Sequence, residues 1–406
     1  MSGPSPSHSV NGLQGDTQTQ SDKPLPSSKK IKGKGNLTRH DKQNDPSRYT
    51  TLVLHDNPRY VMADKRLGPN VSPHFLYLPA KTRDCVFMAD AATMNAYILP
   101  NIHMWDGPPP VQPSPPCYRV APCAGKGLGL LAQRSISRGE IIMEERPILF
   151  TSRFPQTVTE SDIRGFFDLN ALQGLSQASR DAIMHMRNSY PSKPSAIAGI
   201  LRTNCLPLDF DPLSGDSKPE FAACFPTLSR ANHSCSPSAN FYFSSETFTA
   251  QVLAMRNIAE GEEITISYCG VVTPFKERQA AIQRAGNFTC ACEVCTLPPA
   301  LLAQSDARRA ALRAFFVMRP HGRFCREELA EILEDATEER LWYQHAMILR
   351  TYPADEDANN TLKTLRALRR AREALVAVEG PRSFAVRDAD HEIQMIRGAA
   401  LELLQV

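Results

Sequence analysis

Arg230-Ala231-Asn232-His233-Ser234-Cys235-Ser236-Pro237 sets an amide, an imidazole and a thiol side by side in the second half of the chain. Alone, an Asn-His pair is most often a polar pair satisfied inside a fold. Its neighbours along the sequence give it weight. Upstream, Gly125-Lys126-Gly127-Leu128-Gly129 leads into a strand. A glycine cluster is ordinarily a turn, and this one lacks the Gly-x-Gly-x-x-Gly frame of a dinucleotide site. Downstream, Glu260-Gly261-Glu262 is a turn, and Glu263–Tyr268 alternates as a strand that ends on a tyrosine. By itself such a tyrosine would be core or rim.

Further on, Cys290-Ala291-Cys292-Glu293-Val294-Cys295 packs three thiols into six residues. Three soft ligands at that spacing suit zinc, which takes four in a tetrahedron. The fourth is open on sequence grounds, with Cys224, Cys235, Cys269 and Cys325 as candidates. The competing interpretation is three unconnected buried or redox thiols, but such spacing is rare by chance. Four thiolates leave no position for water, so one closed, structural site is expected. A zinc deaminase would need His-x-Glu beside its Cys-x-x-Cys, and the sequence has none there.

The remaining sequence bounds the setting. The 406 residues carry 42% hydrophobic and 22% charged side chains, ordinary values for a soluble protein large enough for a main domain and a companion. A formal net charge of +3 gives no argument for direct nucleic-acid binding or an acidic membrane surface. No apolar run approaches the roughly 18 residues that span a bilayer. Met1–Val10 has no apolar signal core, and eleven cysteines then point to thiols or metal rather than disulfides. An intracellular protein, nuclear and/or cytoplasmic, is expected.

Residues 1–48 are rich in Ser, Pro, Gly, Gln and Lys and predict a disordered tail, with Lys29, Lys30, Lys32 and Lys34 as a solvated charge run. Residues 49–105 are apolar without a clear period and cannot be assigned; a proline-rich linker follows to 116. From Cys117 short strands are expected at Tyr118–Val120, Leu128–Ala132 and Glu140–Phe150. Helices follow over 160–203, where Ile163, Phe166, Phe167 and Asn170, and later Ile197, Ile200 and Leu201, fall at helical spacing. Strands return at Asn240–Phe243 and Phe248–Met255. After Cys295 the pattern is helical, with segments at Ala310–Met318, Glu327–Leu333, Glu339–Arg350 and Leu362–Val378.

In this order the glycine loop, the Asn-His-Ser-Cys stretch, the strand ending in Tyr268 and the Cys-x-Cys-x-x-Cys run resemble the SET-domain protein-lysine methyltransferases, over about residues 117–296. Within that family the sequence looks closest to the SET-and-MYND branch and its fungal relatives, where a helical insert splits the domain; 152–204 would be that insert. The branch's MYND finger is absent, since 152–204 hold no cysteine and only His185. The resemblance implies an α+β fold: a β-rich SET domain of short strands with a threaded pseudoknot over 117–270, a zinc-binding post-SET segment over 271–296, and a C-terminal helical domain over 297–406. It implies S-adenosylmethionine and one structural Zn2+ as cofactors. Lys126, Gly127 and Leu128 would run along the methionine part of the cofactor, Asn232 and His233 would hold it, Asn204 would contact it and Phe288 would stack on adenine. Tyr268 would be the active-site tyrosine and would also contact the cofactor. Cys235 would join Cys290, Cys292 and Cys295 on the metal. The implied partner is a protein bearing a lysine, a histone in chromatin or a non-histone protein. The alternative is a zinc-stabilised SET scaffold that lost its chemistry and serves as an interaction module; absence of S-adenosylmethionine binding would favour it. A decayed site would be expected to lose some of Gly127, Asn232, His233 or Tyr268, and all are present.

Overall fold

The computed structural model describes residues 60–62, 74–79, 81–89, 93–100, 105, 110, 112–152, 172–191, 195–208, 221–244, 247–319, 324–351 and 361–403. The expected tail over 1–48 and the helical positions Ile163, Phe166, Phe167 and Asn170 lie outside them. So do Ser245 and Glu246, between the strands expected at Asn240–Phe243 and Phe248–Met255. Among the described residues three sheets form. The largest joins β1 (Tyr60–Met62), β2 (His74–Leu78), β3 (Cys85–Ala89), β7 (Leu149–Ser152), β9 (Phe221–Cys224) and β8 (Leu206–Leu208), in that spatial order. The segment left unassigned by its sequence thus supplies three strands, and β3 runs parallel to β7 with Phe87 opposite Phe150. All five residues of β3 are buried. A strand covered on both faces has no alternation to read, which is why its pattern looked aperiodic.

The second sheet has the order β10 (Asn232–His233), β13 (Glu263–Ile266), β5 (Gly127–Ala132), β4 (Tyr118–Cys123). The third has the order β11 (Ala239–Ser244), β12 (Thr249–Ala254), β6 (Ile141–Glu145). Where the sequence predicts one strand over 140–150 there are two, β6 and β7, in different sheets. Arg146-Pro147 lies at the break, and proline cannot continue a ladder. An aromatic cluster closes the core between the sheets: Phe87, Trp105, Phe150, Phe243 and Phe248 meet with ring centroids 5.2–6.3 Å apart.

Helices α1 (Gln177–Met184) and α2 (Ala196–Asn204) lie in the expected insert and are capped by Ser176 and Ser195, each accepting the N–H three residues on. They cover the outer face of the large sheet through Ile183, Ile200 and Leu201, joined by Met186 just past α1. Beyond the sheets come α3 (Phe275–Gly286), α4 (Pro299–Met318), α5 (Arg326–Glu338), α6 (Trp342–Leu349), α7 (Thr361–Glu379) and α8 (Phe384–Leu403). Leu375 and Val378 of α7 share a core with Met255 and with Ala346 and Leu349 of α6. The Asn240 amide donates to the Val378 carbonyl at 3.0 Å, which seats α7 on β11. No helix among the described residues is long and apolar enough to cross a membrane.

Candidate cofactor cleft and metal centre

Residues 232–233 form the two-residue strand β10, parallel to β13, with Asn232 opposite Thr265 and His233 opposite Ile266. This register brings the Asn-His pair beside Tyr268, just past the end of β13. Upstream, the Glu145 carboxylate sets the approach: it accepts the Thr227 and Leu228 amides at 3.0 and 2.9 Å, fixing the short turn 228–230 that feeds into Asn232. Burial pushes this carboxyl above its ordinary value, with the two amides opposing.

On the other side of β13, antiparallel β5 carries the glycine loop. Gly127 has φ of +80°, a backbone state that side chains disfavour. At Gly129 a Cβ would sit 2.6 Å from the Asn232 amide nitrogen and 2.9 Å from a Glu263 oxygen, so those side chains would have to shift to admit one. The two neighbours are themselves joined, since Asn232 Nδ2 donates to Glu263 Oε1 at 2.8 Å and to the Leu128 carbonyl at 3.2 Å. Lys126 Nζ pairs with the second Glu263 oxygen at 2.7 Å. Burial, then the charge of Glu263, pushes the Cys123 thiol up to about 11. Glu263 is therefore the hub of this side, although the sequence reading gave it no role.

Tyr268 donates its hydroxyl proton to the Ala231 carbonyl at 2.6 Å. Burial, reinforced by Glu263 and opposed by Arg187, holds the phenol well above its ordinary pKa. The group stays neutral, and its oxygen lone pairs remain available as acceptors. Phe288 stands edge-on to Tyr268, ring centroids 6.5 Å apart. His233 works in two directions: Nδ1 accepts the Tyr268 amide at 3.0 Å, so Nε2 carries the proton and donates to Cys235 Sγ at 3.3 Å. One imidazole ties the tyrosine's backbone to a cysteine of the cluster. Asn204 is buried at the end of α2, where Nδ2 donates to the Arg187 and Ile200 carbonyls, both at 2.7 Å. Its amide hydrogens are thus spent on backbone. The Arg187 side chain reaches the glycine loop, Nη1 donating to the Lys126 carbonyl at 3.3 Å.

The sulfurs of Cys235, Cys290, Cys292 and Cys295 lie within 4.8 Å of one another. Four sulfurs about 2.3 Å from a tetrahedral zinc stand about 3.8 Å apart, so this set fits the ion. The contact between Cys235 and Cys295 is 3.6 Å. Of the other candidate fourth ligands, Cys224 packs on Met186 Sδ at 3.3 Å, Cys325 caps α5, and Cys269 lies beside Cys235 outside the four-sulfur group. Gln279 clamps the Cys290 backbone, donating to its carbonyl at 2.8 Å and accepting its amide at 2.9 Å.

A buried ion-pair network joins this centre to the C-terminal helices. Arg309 of α4 is fully buried and pairs with Glu339 at 2.8 Å. It also donates to the Cys235 carbonyl at 3.1 Å and to the Val271 carbonyl. Ser236 donates to the Glu339 carbonyl at 2.7 Å. Arg187, Glu263 and Arg309 carry no local sequence signal, because each acts on a partner distant in the chain.

Residues 127–269 match the SET domain family. The match places a SET domain at these residues, and with the four-cysteine cluster, the mixed small sheets and the C-terminal helices the fold is α+β. Similar proteins are lysine methyltransferases of the set5 and SMYD types. Histone-lysine N-methyltransferase set5 of Schizosaccharomyces pombe is 28% identical over 196 residues, 48% of this chain and 56% of that protein. Histone-lysine N-methyltransferase ATXR2 of Arabidopsis thaliana is 43% identical over 75 residues, 18% of this chain and 16% of that one. Human N-lysine methyltransferase SMYD2 is 28% identical over 132 residues, 31% of this chain and 29% of that one. The alignment spans just over half the length of the first of these and far less of the other two.

Proposed function

We propose that the chain is an S-adenosylmethionine-dependent protein-lysine N-methyltransferase with one structural zinc. The observation that carries this reading is convergence: the glycine loop, Asn232, His233, Tyr268 and Phe288 meet beside four clustered thiols. The names of the relatives, a histone-lysine and an N-lysine methyltransferase, support lysine as the acceptor. When bound, the cofactor supplies a methyl already activated on a sulfonium, and zinc supplies a redox-inert tetrahedral anchor.

The protein's task is then alignment of a neutral amine behind the methyl. Lys126, Gly127 and Leu128 would lie along the cofactor's methionine part, Asn232 and His233 would hold it, and Phe288 would lie against its adenine. Asn204 shapes the same cleft through the backbone of Arg187. Tyr268, its own proton given to Ala231, presents lone pairs to the incoming amine or to the methyl hydrogens. Beside Ser267 and Cys269 opens a cleft of about 370 Å³ walled by Phe241, Tyr242, Trp342 and Tyr343, with Glu379 on its lining. Glu379 would attract the substrate's cation, and the aromatic wall disfavours the charged form where the amine must lose its proton. Cys235, Cys290, Cys292 and Cys295 hold the zinc. The substrate is a lysine-bearing protein, a histone or a non-histone protein, in the nucleus or cytoplasm.

The test combines labelled cofactor with a cell lysate, identification of the modified protein, and calorimetry of cofactor binding. Tyr268→Phe should lower methyl transfer by about two orders of magnitude, roughly 3 kcal/mol of barrier, while cofactor binds with near-normal affinity. Undiminished transfer by that variant would remove Tyr268 from the chemistry. No cofactor binding by zinc-replete protein would overturn the reading as a whole.

A further inference from the structure

Glu379 is a carboxylate placed where the folded chain gains nothing from it. It ends α7, and the last turn of that helix carries no basic residue. Negative partial charge gathers at a helix C-terminus, so a cation there is stabilising and an anion is not. The next basic residue, Arg382, lies 3.9 Å from Glu144 instead. Among the described residues Glu379 has no ion pair and no hydrogen bond. The backbone around it is nevertheless held: the Val378 carbonyl accepts the Asn240 amide at 3.0 Å, and a Cβ on Gly380 would stand 2.5 Å from Gln251 Oε1. The end of α7 is thus seated closely on β11 and β12.

The cleft beside Ser267 and Cys269 gives this carboxylate a use. Glu379 is the only Asp, Glu, Lys or Arg that lines it, among aromatic walls from Phe241, Tyr242, Trp342 and Tyr343. At about 370 Å³ the cleft falls within the range, roughly 300–1,000 Å³, of sites that enclose more than one aliphatic side chain. Its sides differ in chemistry. Ser267 and Cys269 bracket Tyr268 on one wall, whereas Glu379 stands on α7 against the β11–β12 pair. A methyl acceptor must be a neutral amine, and a carboxylate in contact with it would hold it charged. The cation that Glu379 attracts and keeps is therefore a second one, carried by the same substrate.

We propose that Glu379 is a specificity residue: it takes a basic side chain that flanks the target lysine, so the substrate class is a protein whose acceptor lysine lies in a basic segment. Arginine is preferred to lysine at the flanking position, because a planar guanidinium pairs with a carboxylate in two parallel hydrogen bonds and stacks on aromatic faces. Partial removal from water makes that pair stronger than one on an open surface. This rests on the methyltransferase reading for the identity of the target, but the recognition itself needs only the cleft.

The experiment uses the zinc-replete full chain as wild type, Glu379→Gln and Glu379→Arg. The probes are short fluorescent peptides of alanine and glycine around a central lysine. One arginine is walked through the flanking positions, with lysine, glutamine or glutamate in its place as controls. Binding is followed by anisotropy, and methyl transfer from labelled S-adenosylmethionine is measured on the same peptides. Wild type should bind the arginine peptide about tenfold tighter than the glutamine peptide at one position or two adjacent ones, with lysine between, and the preference should shrink as salt is raised. Glu379→Gln should lose the preference, and Glu379→Arg should favour glutamate at the same position. In transfer the preference should appear in KM with kcat unmoved. Both variants should melt at or slightly above the wild-type temperature, since the carboxylate has no partner to lose. An arginine preference that survives in Glu379→Gln, or wild type that binds all the peptides alike, would overturn the proposal. Wild type that discriminates between the peptides yet transfers no methyl to any would remove the methyltransferase reading and leave this recognition standing.

Discussion

Glu263 decides how the Asn232 amide is presented. Its two oxygens are divided between Asn232 Nδ2 and Lys126 Nζ, so one carboxylate orients an amide from β10 and a cation from the glycine loop. A carboxylate can only accept, which fixes the Asn232 nitrogen towards it and turns the Asn232 oxygen away. Glu263→Gln keeps the volume and removes the charge; its own NH2 would then compete for the same direction. Because the Lys126 side chain is 37% exposed, the ion pair is worth little for stability. The expected outcome is a cofactor affinity lowered about tenfold, roughly 1.4 kcal/mol, with an almost unchanged melting temperature. Calorimetry beside thermal unfolding separates the two; a large loss of stability with normal affinity would contradict the assignment. At this scale the sequence exposed residue types that chemistry favours, such as Tyr268 and the thiols. It did not expose Glu263, whose meaning depends on a partner 137 positions away.

Among the elements, α6 packs against α5 and α7, and it carries an imidazole among cations. His345 has a buried Nδ1 without a partner and lies 5.7 Å from the Trp342 ring. Arg138, from the turn before β6, sits over Trp342 at 5.5 Å. Burial first, then Arg138 and Arg370, lowers the His345 pKa to about 4. A folded-state value below the unfolded one means that stability is fully present above about pH 6.5 and is lost as pH falls towards 4. The side chain is not wholly buried, so the loss should be about 1–2 kcal/mol rather than the full linkage value. His345→Gln removes the titrating group. Melting temperatures of wild type and variant should therefore converge as pH falls from about 6.5 to 4.5, where the wild type alone loses this contribution. Parallel pH profiles would exclude His345 as the source. Elements with a one-sided apolar pattern, such as α2 and α7, were legible in the sequence. The fully buried β3 was not, and the single strand expected over 140–150 was divided by Pro147. The helix α8 was expected only as part of the helical domain over 297–406, and its start signal, Ser383, whose hydroxyl accepts the Val386 amide at 3.2 Å, was not used.

For the whole molecule, the order of motifs carried the SET domain, but it said nothing of how the C-terminal helices are held to it. That attachment runs through polar groups. Arg309 bonds the Cys235 and Val271 carbonyls, and Ser236 bonds the Glu339 carbonyl at the end of α5. Cys235 thus lies at a junction of three parts: the Asn-His strand, the cysteine run after α3, and the helices α4 and α5. Burial of a cation in such a network is sustained only while its partners stay in place, since an unpaired buried charge costs about 3–5 kcal/mol. Removing the metal from the full chain with a chelator should therefore loosen these parts together. Hydrogen exchange should rise at 232–237, at 286–297, and around Arg309 and Glu339, and cofactor affinity should fall with it. The core strands β3, β7 and β9 have their own aromatic packing through Phe87, Phe150 and Phe221 and should remain protected. A rise confined to the cysteine run would mean that the helices are held independently of the metal centre. A uniform rise would mean that the sheets depend on it as well, and either pattern would refute Cys235 as the junction.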